Sequence, residues 1–147
     1  MEEGKLELET KETNSLSKAL QKLLENELLL QRVRVSLDCQ PEEVPIALRE
    51  VLRFLFLVKH YDLGQLTPSR RVDLIWHELI LFTKMYREVC HEFLGKFVDH
   101  HPGGSVEKNR RQYQETLRCY RLKFGTPLAT YWGREKVPAD CGICEAF

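Results

Sequence analysis

Apolar side chains recur at three- and four-residue spacing along most of the chain, which predicts helices rather than strands. Leu16, Leu20, Leu23, Leu24 and Leu28 form the first such series, and Ser15 is placed to cap the helix that carries it. The spacing predicts one helix through "LSKALQKLLENELLLQRVRV". Residues 1–13 lack a clean period and are read as a flexible acidic tail, with 14–147 forming a single helical domain. A turn at "DCQPEEVP" leads to a second helix, whose face comprises Val44, Leu48, Val51, Leu52, Leu55 and Val58, widened by Phe54 and Phe56. Gly64 marks its end. A third helix is expected from Thr67, as N-cap with Pro68 at the first position, to Leu94, with Gly95 beyond it. The same Thr-Pro chemistry at Thr126 and Pro127 opens a short final helix. Between these two, Ser105 caps a fourth long helix bearing Val106, Tyr113, Leu117, Tyr120 and Phe124, closed by Gly125. No alternating stretch is long enough for a convincing strand, although Phe97 and Val98 could be briefly extended. The expected fold is all-α, a single domain with orthogonal or bundle-like packing of four long helices plus one short helix.

Composition narrows the function classes. A 43% hydrophobic, 30% charged chain of 147 residues is globular and can bury a core without a disulfide. Lys+Arg and Asp+Glu are 22 each, so no net field draws nucleic acid or anionic lipid. The longest apolar run, Val51 to Val58, is interrupted by Arg53 and is too short to span a bilayer. An acidic N-terminus without an apolar core argues against export, and five cysteines fit reduced thiols. The expected location is cytoplasmic.

The third helix holds the most unusual chemistry. Val72, Ile75, Trp76, Leu79, Thr83, Tyr86, Cys90, Phe93 and Leu94 share one broad face, with Leu74, Leu81 and Met85 opposite, so the rod is expected to be mostly enclosed. Asp73, His77, Lys84 and His91 make a narrow polar stripe on it. Asp73 and His77 are one turn apart and can touch. The plainer reading is a helix-orienting ion pair. The functional one has the carboxylate fix the imidazole tautomer, freeing the other ring nitrogen for a metal or a proton. His77 and Cys90 would lie about 20 Å apart on a straight helix, so they are expected to belong to separate sites.

"DHHPGG" and the C-terminal "CGIC" add further ligand types. A C-x-x-C pair lets two thiolates grip one tetrahedral ion, although no second pair is present. The expected metal set is Cys141, Cys144, His101 and Cys90, with His100 as a further candidate and zinc as the ion. An inert reduced pair is the alternative. A thioredoxin-like role ranks below both, because that motif follows a strand and opens a helix. Cys90 on an apolar face equally suits simple packing.

Asp73, Trp76-His77, Tyr86, Cys90, Gly95 and then His100 or His101 together resemble the glycine-rich domain-containing protein-like family. The resemblance implies a helical domain type and no particular reaction. It also implies that His77 and Cys90 do more than pack. Relatives often carry Trp-His-x-His at this point, where Leu79 replaces the second histidine, and their glycine-rich segments are missing here.

Other functions have less to stand on. Arg111, Arg118 and Arg121 line one stripe of the fourth helix and could meet an anion or an acidic partner. A solvated face is the simpler reading, which makes nucleic acid an unlikely ligand for a neutral chain. "HELIL" lacks the second histidine of a zincin, Leu81 standing in its place. No nucleophile elbow, phosphate loop or dinucleotide fingerprint is present. The sequence therefore points to a small helical binding or interaction domain with a structural zinc site and a protein partner. A metal-free module that self-associates through its first helix comes second, and a metal-dependent hydrolase third.

Overall fold

The computed structural model describes residues 2–61, 64–133, 142 and 144–146. Seven α-helices and one small sheet are formed by them: α1 (Glu2–Leu24), α2 (Glu27–Leu37), α3 (Val44–His60), α4 (Arg70–Leu81), α5 (Thr83–Val89), β1 (His100–Pro102), α6 (Val106–Phe124), α7 (Ala129–Trp132) and β2 (Cys144–Ala146). A 3₁₀ turn at Pro41–Glu43 leads into α3, and a π-helical turn at Cys90–Leu94 follows α5. The molecule is mainly all-α, as the hydrophobic periodicity predicts.

α3 lies at the centre. Its expected face is buried without exception, and Ala47, Phe54, Phe56 and Leu57 are buried with it. Such a helix is nearly apolar all round because neighbours cover most of its surface. Its one buried charge, Glu50, is heavily bonded. Tyr120 Oη (2.7 Å) and Trp132 Nε1 (2.9 Å) both donate to Glu50 Oε2, and Arg49 Nη2 lies 3.1 Å from Oε1. This carboxylate ties α6 and α7 to α3. Burying it would be prohibitive without those donors.

Two expected rods are broken. The first divides at Asn26, whose side chain accepts from Leu29 N at 3.0 Å and so caps α2. The third divides at Phe82, which leaves the helical region at φ −87°, ψ 66°. Leu74 and Leu81 are exposed, so α4 is more open on one side than the mostly enclosed rod that was expected. Helix α1 begins at Glu2 rather than Ser15, through residues that favour helix (Glu, Lys, Leu), and Glu12 meets His60 (3.2 Å) and Lys123. The segment expected as a tail is therefore continuous with the first helix. The leucine series proposed for self-association is largely used internally: Leu23 is fully buried and Leu16, Leu20 and Leu24 pack against the core.

Neither Thr-Pro pair caps a helix. Ser69 caps α4, its hydroxyl accepting from Val72 N at 3.1 Å, and Leu128 precedes α7. The cap moves because residues 66–68 are used as an extended edge. Leu66 exchanges both backbone bonds with Ala146 (3.2 and 2.9 Å), and Pro68 O accepts from Gly142 N (2.9 Å). Thr67 O accepts instead from Thr116 Oγ1 at 2.8 Å. Ser105 and Gly125 do bound α6 as expected, and Gly95 follows the π turn at φ 76°.

Candidate metal centre

Four ligand-type side chains converge where α4 meets the sheet: Asp73, His77, His100 and Cys144, one ligand atom of each lying within 4.8 Å of all the others. Helix α4 supplies the first two from adjacent turns. Asp73 is in its first turn, where the positive helix end favours a carboxylate, and it is only 5% exposed. His77 Nε2 approaches Asp73 Oδ1 at 3.4 Å, as their i,i+4 spacing predicts. His100 Nε2 reaches the same oxygen at 3.2 Å.

His100 is placed by a chain of bonds beginning on the same helix. Trp76 Nε1 donates to Tyr86 Oη (3.1 Å), which donates to Val98 O (2.6 Å). This fixes the strand entry, and the His100 ring rests between Trp76 (centroids 4.2 Å apart) and His77 (4.5 Å). Strand register then selects the partners. β1 and β2 pair antiparallel with His100 opposite Ala146, His101 opposite Glu145 and Pro102 opposite Cys144. Alternation puts His100 and Cys144 on the face towards α4, with His101 and Glu145 on the other. Cys144 Sγ lies 3.7 Å from His77 Nε2.

These separations have a physical meaning. Ligands about 2.0–2.2 Å (N, O) and 2.3 Å (S) from a tetrahedral zinc stand roughly 3.3–3.4 Å apart for nitrogen–oxygen pairs and about 3.6 Å for sulfur–nitrogen. The 3.2, 3.4 and 3.7 Å separations of three of the pairs are near those edges, and all pairs lie within 4.8 Å. Without a cation, burial above all, and then Asp73, pushes the Cys144 thiol up to about 12, which keeps it protonated at neutral pH. A divalent ion in the cluster would reverse that balance and hold the thiolate.

The arrangement changes the expected assignments. Asp73 and His77 do form a pair, but they belong with Cys144 in one cluster rather than in a separate site. His100 takes the place expected for His101, which is exposed on the opposite face of β1. Cys90 is fully buried beside Tyr86 and Val98, where burial raises its thiol, and it takes no part in the cluster. Helix α4 thus ends before its line reaches Cys90, and the break at Phe82 does not bring that thiol to His77. Cys141 lies outside the described residues. Arg111, Arg118 and Arg121 are exposed on α6, and Arg118 is paired with Glu115 at 3.0 Å.

Strand alternation alone left two choices, since counting in twos reaches His101 from Phe97 and His100 from Val98. Burial of Val98 and exposure of Phe97 decide for His100.

Among the described residues, no helix is long and apolar enough to cross a membrane. A family profile described as UCP032817-like matches residues 17–126, more than half of the chain. That span includes Asp73, His77 and His100 and stops before Cys144. No curated protein and no solved structure matches.

Proposed function

Given that the chain belongs to the UCP032817-like family, we propose that it is a small helical binding domain whose Asp73, His77, His100 and Cys144 hold one zinc ion. The observation that carries this reading is the convergence of one oxygen, two imidazole nitrogens and one thiol within 4.8 Å of one another, with the three pairs Asp73–His77, Asp73–His100 and His77–Cys144 near tetrahedral edge lengths. Thiolate and imidazole together favour zinc over magnesium or calcium, which prefer oxygen. Four protein ligands close the coordination sphere, which is the pattern of a structural rather than a catalytic ion.

The ion's work in this reading is to join three segments distant in sequence. β1 and β2 are three residues each, and so short a pair has little stability of its own. A metal bound jointly by α4, β1 and β2 would fix the terminal strand against the helical body. Its binding energy would add directly to folding.

Chelation tests this. At a thousandfold excess over Kd, zinc stabilises by about 4 kcal/mol, or roughly 10 °C in Tm for a chain of this size. Wild-type protein is expected to lose about that much on treatment with a strong chelator and to regain it with added zinc. His100→Ala, which removes a ligand, is expected to be insensitive to both. Identical melting of wild-type protein with chelator and with zinc would refute the reading and leave the metal-free interaction module.

A further inference from the structure

The four ligands are not equivalent. Asp73 and His77 sit on adjacent turns of one body helix, and His100 is held over Trp76 through Tyr86 and Val98. All three lie inside the span that the family profile matches. Cys144 lies beyond it and arrives on β2, whose described backbone partners are short: β1 and Leu66. The side chain of His77 is 48% exposed, so solvent reaches the cluster along its rim.

Resting on the zinc-site reading above, we propose that Asp73, His77 and His100 hold the ion by themselves, and that Cys144 is a dispensable cap on its fourth position. Three protein ligands with one open position is the arrangement in which zinc accepts water or a substrate atom. Taking away the thiolate turns the closed centre into one that binds small metal-directed anions. The capped form is shielded from such ligands because the sulfur occupies their position and β2 covers it. Asp73 is the anchor of the three, since its Oδ1 faces both imidazoles. His100 lies on β1, which pairs with β2, but its ring rests on Trp76 and its strand entry is bonded through Tyr86 and Val98, so the three-ligand set has a hold on the helical body besides β2.

Cobalt(II) makes the difference visible, because thiolate ligation gives a near-ultraviolet charge-transfer band and the d–d bands report coordination. The full chain is loaded with cobalt as wild type, Cys144→Ala, Cys144→Ser and His100→Ala, and each is titrated with azide. Wild type is expected to bind one equivalent, show the thiolate band and give no azide response. Both Cys144 variants are expected to keep one equivalent, lose that band and shift their d–d bands on azide addition. His100→Ala is expected to lose stoichiometric binding.

Loss of cobalt from both Cys144 variants, or failure of both to fold, would make the thiolate an essential ligand and overturn the cap while sparing the zinc site. Retained metal with no azide response would also overturn it. Wild-type protein that binds no cobalt would remove the zinc-site reading itself, and the cap with it.

Discussion

At Asp73 one carboxylate oxygen faces two imidazoles, whereas at Glu50 one carboxylate gathers donors from three elements. The second arrangement is complete without a ligand, and its worth can be measured one residue at a time. Tyr120→Phe removes a donor at 2.7 Å from a fully buried oxygen, with Arg53 Nη1 also losing its 2.8 Å contact to that hydroxyl. The cost is expected to be about 1–3 kcal/mol in urea denaturation. Burial and the bond to Glu50 push the Tyr120 phenol up to about 12 from an ordinary value of 10.0. A folded-state value above the unfolded one favours the protonated phenol, so its contribution is full below about pH 10 and is lost as pH rises through the folded value. The Phe variant should therefore lose stability more gently across that alkaline window. An equally steep loss would mean that Tyr120 is not the group responsible.

At the scale of elements, the chain's helices are legible from spacing and their ends only in part. The face of α3 and the caps Ser105 and Gly125 follow from local chemistry. Asn26 is a residue type that caps helices, but the leucine period runs through it and hides the break. Nothing comparable marks Phe82, since no Gly or Pro is nearby and its side chain packs against the core. Thr67 and Pro68 are chemically suited to begin a helix, yet their carbonyls are committed to Thr116 on α6 and to the Gly142 amide. That commitment gives Gly142 its identity: a Cβ there would stand 2.4 Å from Pro68 O. Gly142→Ala is expected to cost about 1–3 kcal/mol by overpacking. The damage should be local, with faster hydrogen exchange at the amides of Ala146 and Leu66 and little change in α3. Unchanged exchange at those two amides would show that β2 is not held through this approach.

For the molecule as a whole, the helical class is plain in the sequence, while the candidate centre is only partly so. Asp73 and His77 are visible because four-residue spacing on a helix is a local relation. Their meeting with His100 and Cys144 is set by a sheet of three-residue strands, and pairing between positions 44 residues apart leaves no periodic trace. The Cys141–Cys144 spacing suggested a joint grip; register places Cys144 beside His77 and Asp73, and Cys141 lies outside the described residues. Zinc would convert that meeting of α4, β1 and β2 into a permanent joint. The most direct measurement is elemental analysis of full-length protein purified without a histidine tag, beside an Asp73→Asn, His100→Ala double variant. One zinc per wild-type chain and almost none in the variant is the expected result. Zinc-free wild type, or the same zinc content in both proteins, would contradict it.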